Sequence, residues 1–546
     1  MNVLAISGRH RDAAAAIAVD GRIVAATAEE SLVRVPRIGY RQTGGFPWAA
    51  VRACLDRSGL EPGEISTVAI VGPPGREGSR GAQPLPLRPR DKAERGLAAG
   101  LADSTATRVP VLHAHAAQLA ATSEAQPSVL LIVEPVVAGA SGAFLLRGGE
   151  LTLIGEITGL DQLTCAARRV ARALGSDARD PFAALETIGR WSGSDFSEAI
   201  ARTIGWKAPF GISVDRPALE RIVEAAAAED DQLSWTESPN VFVQERRRAL
   251  AEGFCRGVVQ LVADLGRRLC EGYHADRVGV SGSLFAAARL NALAQSALAT
   301  AMDIAPVPEP VGLALGAALA GSNCPRRSIV GLSLGPEYSE EDIKKALENC
   351  RLDYVYEPDW QRLLHRISSL LQRGKTVGWF QGASDFGPRP LGGRCVVCDP
   401  STRYARENLT VYLRHGSTEP LAVTMSQSAA DECLSSPVPS PFMLMRAGVK
   451  QEFRDALRAA VDDGAVTVHT LSHSTAPPLS DLLAVHRART GVPGLINLPL
   501  AGPHEPIACS PRDAVRTTYS SAIDALVAGR FLLMKDHWLL RSDVVS

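Results

Sequence analysis

The chain has 546 residues, 46% of them hydrophobic, with 58 lysines and arginines against 59 acids. So balanced a charge gives no footprint for nucleic acid or an acidic membrane surface, and this length predicts two or more domains that each bury a core. The opening "MNVLAISGRHRDAAAAIAVDGRIV" lacks the basic and apolar regions of a signal peptide, and no run of about 18 apolar residues occurs, so a cytoplasmic protein without membrane partners is expected. Of ten scattered cysteines the close pair is Cys395 and Cys398, with no second CxxC or histidine pair to complete a zinc site. They read as reduced core thiols.

In chain order, "NVLAIS" and "AAAAIAV" read as strands. Asp20-Gly21 then turns into "RIVAATAEE", predicting an antiparallel meander. A second such unit runs from "SVLLIVEPVV" at 128–137 through "GASGAFLLRGGELTLIGEI". A long helix follows over 245–272, where apolar residues recur at helical spacing. Two meanders followed by helices predict a duplicated α/β fold with a cleft between its halves. "RVGVSGSLFAAARLNALAQ" reads strand, glycine turn, helix, a geometry that brings backbone amides close to a ligand or serves packing alone. "GSNCPRRS" at 321–328 marks the domain boundary, and Ser339 caps the next helix with acids in its first turn.

Beyond that boundary, "GWFQGASDFGPRPLGGRCVVCDP" at 378–400 sets Arg389 and Arg394 among glycines and prolines. Guanidinium forks fit phosphate or carboxylate and glycine admits a ligand close to the backbone, so an anion site is one reading. Arginines that tie a loop to neighbouring groups are the other.

These blocks carry a resemblance. "RDAAAAIAVDGRIVAATAEESLVR", "LGPEYSEEDIKKAL", "VGWFQGASDFGPRPLGGR" and "GVPGLINLPLAGPHEPIACSPRDA" are similar, in order and spacing, to the NodU/CmcH carbamoyltransferases of antibiotic and nodulation-factor biosynthesis. The resemblance implies an actin/sugar-kinase-like domain over 1–325, like the threonylcarbamoyl-transferring tRNA enzymes, and an α+β YrdC-like domain over 326–546. It implies that carbamoyl phosphate and ATP with Mg form carbamoyl adenylate in the second domain. The carbamoyl group then passes to a natural-product hydroxyl in the first, with iron assisting.

Carried over position by position, the resemblance places catalytic residues at Asp12, His115 and Glu134. Phosphate and carbamoyl contacts fall at Arg389, Arg394, Arg414, Asn497 and Glu505, and nucleotide contacts at Ser281, Gly282 and Gly312. Departures are many. Val111 stands for the first histidine of the family's HxxxH, Pro310 and Glu134 for two aspartates, and Arg11 for the histidine before Asp12, whereas Glu30 and Arg34 are kept. Leu413 and Glu419 replace two cations, and Ala501 an asparagine. His115 and Glu134 thus read as remnants of a metal site, and bound iron is expected to be absent. Three functions remain open: a carbamoyltransferase with an altered transfer site, a non-catalytic partner of an intact homologue, or an enzyme moving or condensing another acyl group.

Overall fold

The computed structural model describes residues 1–72, 87–122, 127–137, 140–176, 181–182, 184–185, 196–207, 209–227, 239–298, 300–322, 329, 331–412, 421–437, 439–471 and 478–535. The chain forms two compact units, one joining Met1–Val109 with Val311–Ser546 and the other spanning Pro110–Pro310.

In the first unit β1 (Asn2–Ser7), β2 (Ala14–Val19) and β3 (Arg22–Ala28) form the expected antiparallel meander. Asp20 and Gly21 both take positive φ at its tight turn, as a two-residue hairpin requires. β4 (Thr67–Gly72) pairs parallel to β1, and β5 (Thr105–Pro110) completes the order β3-β2-β1-β4-β5.

In the second unit β6 (Ser128–Ile132), β7 (Gly142–Arg147) and β8 (Glu150–Glu156) form the second meander, followed by the small hairpin of β9 (Ile204–Lys207) and β10 (Gly211–Val214). β11 (Arg277–Ser281) and β12 (Ala301–Ile304) then add parallel strands, giving β12-β11-β6-β7-β8. Read from its far edge this is the first sheet's order again. Even the register shift recurs in the middle strand of each meander, at Ile17/Ala18 and at Ala143/Phe144. The fold is therefore α/β with an internal duplication. The long helix extends over Pro239–Tyr273, and its Leu250, Phe254 and Val258 bury against the second sheet's Val129 and Leu131.

The rest of the first unit is one mixed sheet. Its strands are β13 (Val355–Tyr356), β14 (Val377–Phe380), β15 (Arg394–Cys398), β16 (Ala422–Ser426), β17 (Met445–Gly448), β18 (Ala465–Leu471), β19 (Gly494–Pro499), β20 (Ala525–Ala528) and β21 (Phe531–Met534), in the order β13-β21-β20-β14-β15-β19-β16-β18-β17 among the described residues. Alternate residues serve opposite faces, as a pleated strand dictates. Val377, Trp379, Cys395 and Val397 pack with Leu363 and Leu482, whereas Phe380, Val396 and Cys398 pack with Ile343 and Val515. Cys395 and Cys398 thus lie on opposite faces, which separates the pair that a CxxC metal site would need. No disulfide joins the nine cysteines among the described residues.

A strap at 331–336 joins the parts of this unit. Ala26 donates to the Leu334 carbonyl (3.0 Å), Gly335 to that of Ser384 (2.9 Å) and Phe386 to that of Leu332 (2.7 Å). Strand β3 is thereby tied to the glycine- and proline-rich loop.

Helix Glu340–Asn349 opens with the expected Ser339 cap, whose hydroxyl accepts from the Asp342 amide (3.1 Å) while the Asp342 carboxylate accepts from the Ser339 amide (3.1 Å). Replacing Ser339→Ala removes one half of this box at an exposed site. It should cost about 1 kcal/mol, read as a lower midpoint in chemical denaturation with an unchanged slope.

Candidate functional site

In the second unit, four predicted residues meet at the carboxyl ends of β6 and β11. The Val133 amide donates to the Ser281 carbonyl (2.8 Å), which carries the chain across the end of β11 and turns Glu134 inward. Its carboxylate accepts from the amides of Ser283 (2.9 Å), Val136 (2.7 Å) and Val137 (3.3 Å) and from the Ser283 hydroxyl (2.7 Å). Gly282 makes the approach possible. Its φ is 103°, and a Cβ there would lie 2.1 Å from the Val133 carbonyl oxygen.

His115 sits on the helix Val111–Thr122, its Nδ1 2.9 Å from Ser281 Oγ and its Nε2 3.7 Å from Glu134 Oε2. Both side chains are fully buried. Burial disfavours each charged form, pushing His115 down to about 3 and Glu134 up to about 7. The imidazole is therefore neutral, and the carboxyl exchanges a proton near neutrality. Such a set can accept or deliver a proton.

It does not fit a tightly held metal. Val111 and Pro310 offer no donor, and Glu134 already accepts from three amides and a hydroxyl. Among the described residues no group of three or more His, Cys, Asp or Glu could hold an ion. His113, two residues from His115, instead meets the Phe144 ring edge-on at 5.3 Å.

The other predicted residues belong to the first unit. Asp12 lies at φ 55° between β1 and β2, its carboxylate 2.7 Å from Arg11 Nε and its amide donating to the Arg37 carbonyl. Gly312 precedes the helix Leu313–Ala320.

The 378–400 loop uses its two arginines differently. Arg394 is 1% exposed. Its Nη1 donates to the carbonyls of Gln381 (2.8 Å) and Gly393 (2.9 Å), and its Nη2 to those of Gly382 (2.9 Å) and Pro336 (3.3 Å). The guanidinium carbon stands 3.7 Å over the Phe380 ring, adding a cation–π contact. Expected to grip a phosphate, Arg394 instead grips its own loop and the strap. Arg389 remains partly exposed.

Asn497 on β19 is buried too, donating to the Pro390 carbonyl (2.9 Å) and to Thr424 Oγ1 (2.8 Å), which lies 3.0 Å from His469 Nδ1. Asp385 accepts from the amides of Leu391 and Gly393, both at 2.9 Å. Its part was missed from the sequence, although an aspartate ahead of glycines is a usual acceptor for turn amides. Glu505 pairs with Arg516 (2.8 Å) and Arg34 (3.4 Å). Arg414, with Leu413 and Glu419, lies outside the described residues.

The 378–400 loop lies within a stretch matched by a known family. Residues 368–535 match the family model described as "Carbamoyltransferase C-terminus". Nodulation protein NolNO of Sinorhizobium fredii is 26% identical over 96% of this chain and 79% of its own. Uncharacterized protein sll1178 of Synechocystis sp. is 30% identical over 38% of each chain, and nodulation protein NolO of Bradyrhizobium diazoefficiens 29% identical over 42% of this chain and 44% of its own. The matched stretches thus span less than half the length of these last two relatives. Among solved structures, HypF of T. kodakarensis overlaps at TM-score 0.34, with 12% identity, over 59% of this chain and 47% of its own. The duplication itself rests on the repeated strand order.

Two substitutions test these assignments. Arg394→Ala leaves four carbonyls without their charged donor, so it should destabilise the first unit by about 3 kcal/mol or more, measured by denaturant titration. For Glu134 the folded pKa lies above the unfolded one, so its contribution to stability is complete below 4.5 and is lost as pH rises through about 7. The destabilisation caused by Glu134→Gln should therefore shrink between about pH 5 and pH 8 when melting temperatures are compared with the parent.

Proposed function

We infer from the chain's place in the NodU/CmcH-like carbamoyltransferase family, to which it belongs, that it is a transferase moving a carbamoyl group to the hydroxyl of a small-molecule acceptor. The reading divides the chain into a transfer domain over 1–325 and an adenylate-forming domain over 326–546. Water cleaves carbamoyl phosphate to carbamate and phosphate. A carbamate oxygen then attacks the α-phosphorus of ATP, accompanied by magnesium, giving carbamoyl adenylate and pyrophosphate. The acceptor hydroxyl attacks the carbamoyl carbon, gives up its proton to the protein, and AMP leaves with the bonding pair.

Arg389 is assigned the phosphate contact, with Arg394, Asn497 and Asp385 holding its loop. Arg414 and Glu505 are assigned to the same pocket. In the second unit, Ser281 and Gly282 are assigned to the nucleotide, and His115 and Glu134 to the proton and the acceptor; in the first, Gly312 is assigned a nucleotide contact and Asp12 a catalytic one. A carboxyl that titrates near neutrality suits the proton-accepting role. The donors present do not fit iron, so no step runs through a metal at His115. The observation that carries the reading is the family match across residues 368–535, which includes the whole 378–400 loop.

A second reading, a non-catalytic partner of an intact homologue, is favoured by one observation: His115 and Glu134 are fully buried, with Ser281 bonded at His115 Nδ1 and Ser283 at the Glu134 carboxylate.

The deciding measurement is pyrophosphate release from ATP. It should require carbamoyl phosphate and fall at least about tenfold in Arg389→Ala, the loss expected of one charge-assisted phosphate contact, compared at a temperature where both proteins are folded. Purified protein should carry iron well below stoichiometry. Absence of release from the intact protein would leave the partner reading, and a tightly held stoichiometric iron would contradict the metal-free site.

A further inference from the structure

Arg34 reaches farther along the sequence than any residue of the proposed site in this unit. It ends the helix Glu29–Val33 in the left-handed conformation at φ 60°, its amide donating to the Glu30 carbonyl. For a residue with a Cβ that conformation costs about 1 to 2 kcal/mol, so contacts elsewhere must hold it.

Those contacts are made by its side chain. Nη1 donates to the Ile507 carbonyl (2.6 Å) and Nη2 to the Pro506 carbonyl (2.7 Å), while Glu505 lies at 3.4 Å and Asp513 at 3.5 Å. The side chain is 17% exposed, so water screens these contacts little. Asp513 also closes the capping box of the helix Pro511–Ser520 with Ser510. One guanidinium thus holds a loop and a helix start together.

The loop it holds is also tied by the Glu505–Arg516 pair (2.8 Å), at its base and in its turn. The Ala508 amide donates to the Leu500 carbonyl (2.8 Å), and the Glu505 amide to that of Gly502 (3.0 Å), with His504 at φ 60°. Leu500 in turn donates to the Arg394 carbonyl (3.2 Å), which connects the loop to the Arg389-bearing segment.

We propose that Arg34 is a positioning residue that docks the 500–508 loop, and with it Glu505, onto the N-terminal lobe of the first unit, setting the substrate pocket from outside the C-terminal sheet. The part about substrate rests on the function proposed above. The docking does not.

A lysine could keep the charge but not the planar fork that serves two carbonyls and two carboxylates at once. The test is hydrogen–deuterium exchange on the full chain, with pyrophosphate release measured beside it. In Arg34→Ala, amides over 500–508 should exchange at least about tenfold faster while those of β14 and β15 keep their protection. The KM for carbamoyl phosphate should rise about tenfold with kcat within about threefold, the mark of a misplaced binding group. Arg34→Lys should recover little of either, and Glu505→Gln, which keeps the two carbonyl contacts, should loosen the loop less than Arg34→Ala.

Unchanged exchange over 500–508 in Arg34→Ala would overturn the proposal, as would full rescue by lysine. Loss of protection in β14 and β15 as well would overturn it too, since Arg34 would then support the whole unit. If the intact protein releases no pyrophosphate, the proposed function falls, and the exchange measurements still decide the docking.

Discussion

A buried guanidinium must be surrounded by oriented acceptors, because removing a charge from water is costly unless dipoles replace the hydration. Arg394 meets this constraint with four carbonyl oxygens and the face of Phe380. Three of those carbonyls belong to the loop and its flank, the fourth to the strap at Pro336. The loop's path and its glycines at positive φ, such as Gly392, follow from keeping those oxygens aimed inward. Asn497 and Asp385 secure the same loop from β19 and from within. What looked like a pair of equivalent ligands is a scaffold cation beside a candidate ligand.

The second unit shows the opposite use of burial. His115 and Glu134 approach each other without a cation between them, and the low dielectric keeps the imidazole neutral while lifting the carboxyl toward neutrality. Ser281 bonds His115 Nδ1 and Ser283 the Glu134 carboxylate, while His115 Nε2, 3.7 Å from Glu134 Oε2, makes no hydrogen bond among the described residues. The same geometry therefore serves proton transfer if an acceptor reaches it, and simple packing of the strand ends if none does. That is why the catalytic and partner readings separate on turnover and not on shape.

Much of the architecture was legible because local rules carried it. The Asp20-Gly21 turn, the two meanders, the glycine turn after β11 and the Ser339 cap depend on neighbours in sequence. The segment that carries Glu134 was legible too, as the start of the second meander. The partners of the long side chains were not. Nothing near Arg394 in sequence announces the Pro336 carbonyl, and nothing near Arg34 announces Ile507, since such contacts arise only when the sheet is assembled. The opposite facing of Cys395 and Cys398 follows from strand period alone, once β15 is known to cover both.

The distinction between the two loop arginines is the centre of this account, and nitrogen-15 NMR of the arginine guanidinium groups tests it directly. Arg394 should show slowly exchanging NH signals that stay in place when carbamoyl phosphate and ATP are added, while those of Arg389 shift. Ligand-induced movement of the Arg394 signals, or an Arg389 resonance indifferent to both ligands, would contradict it.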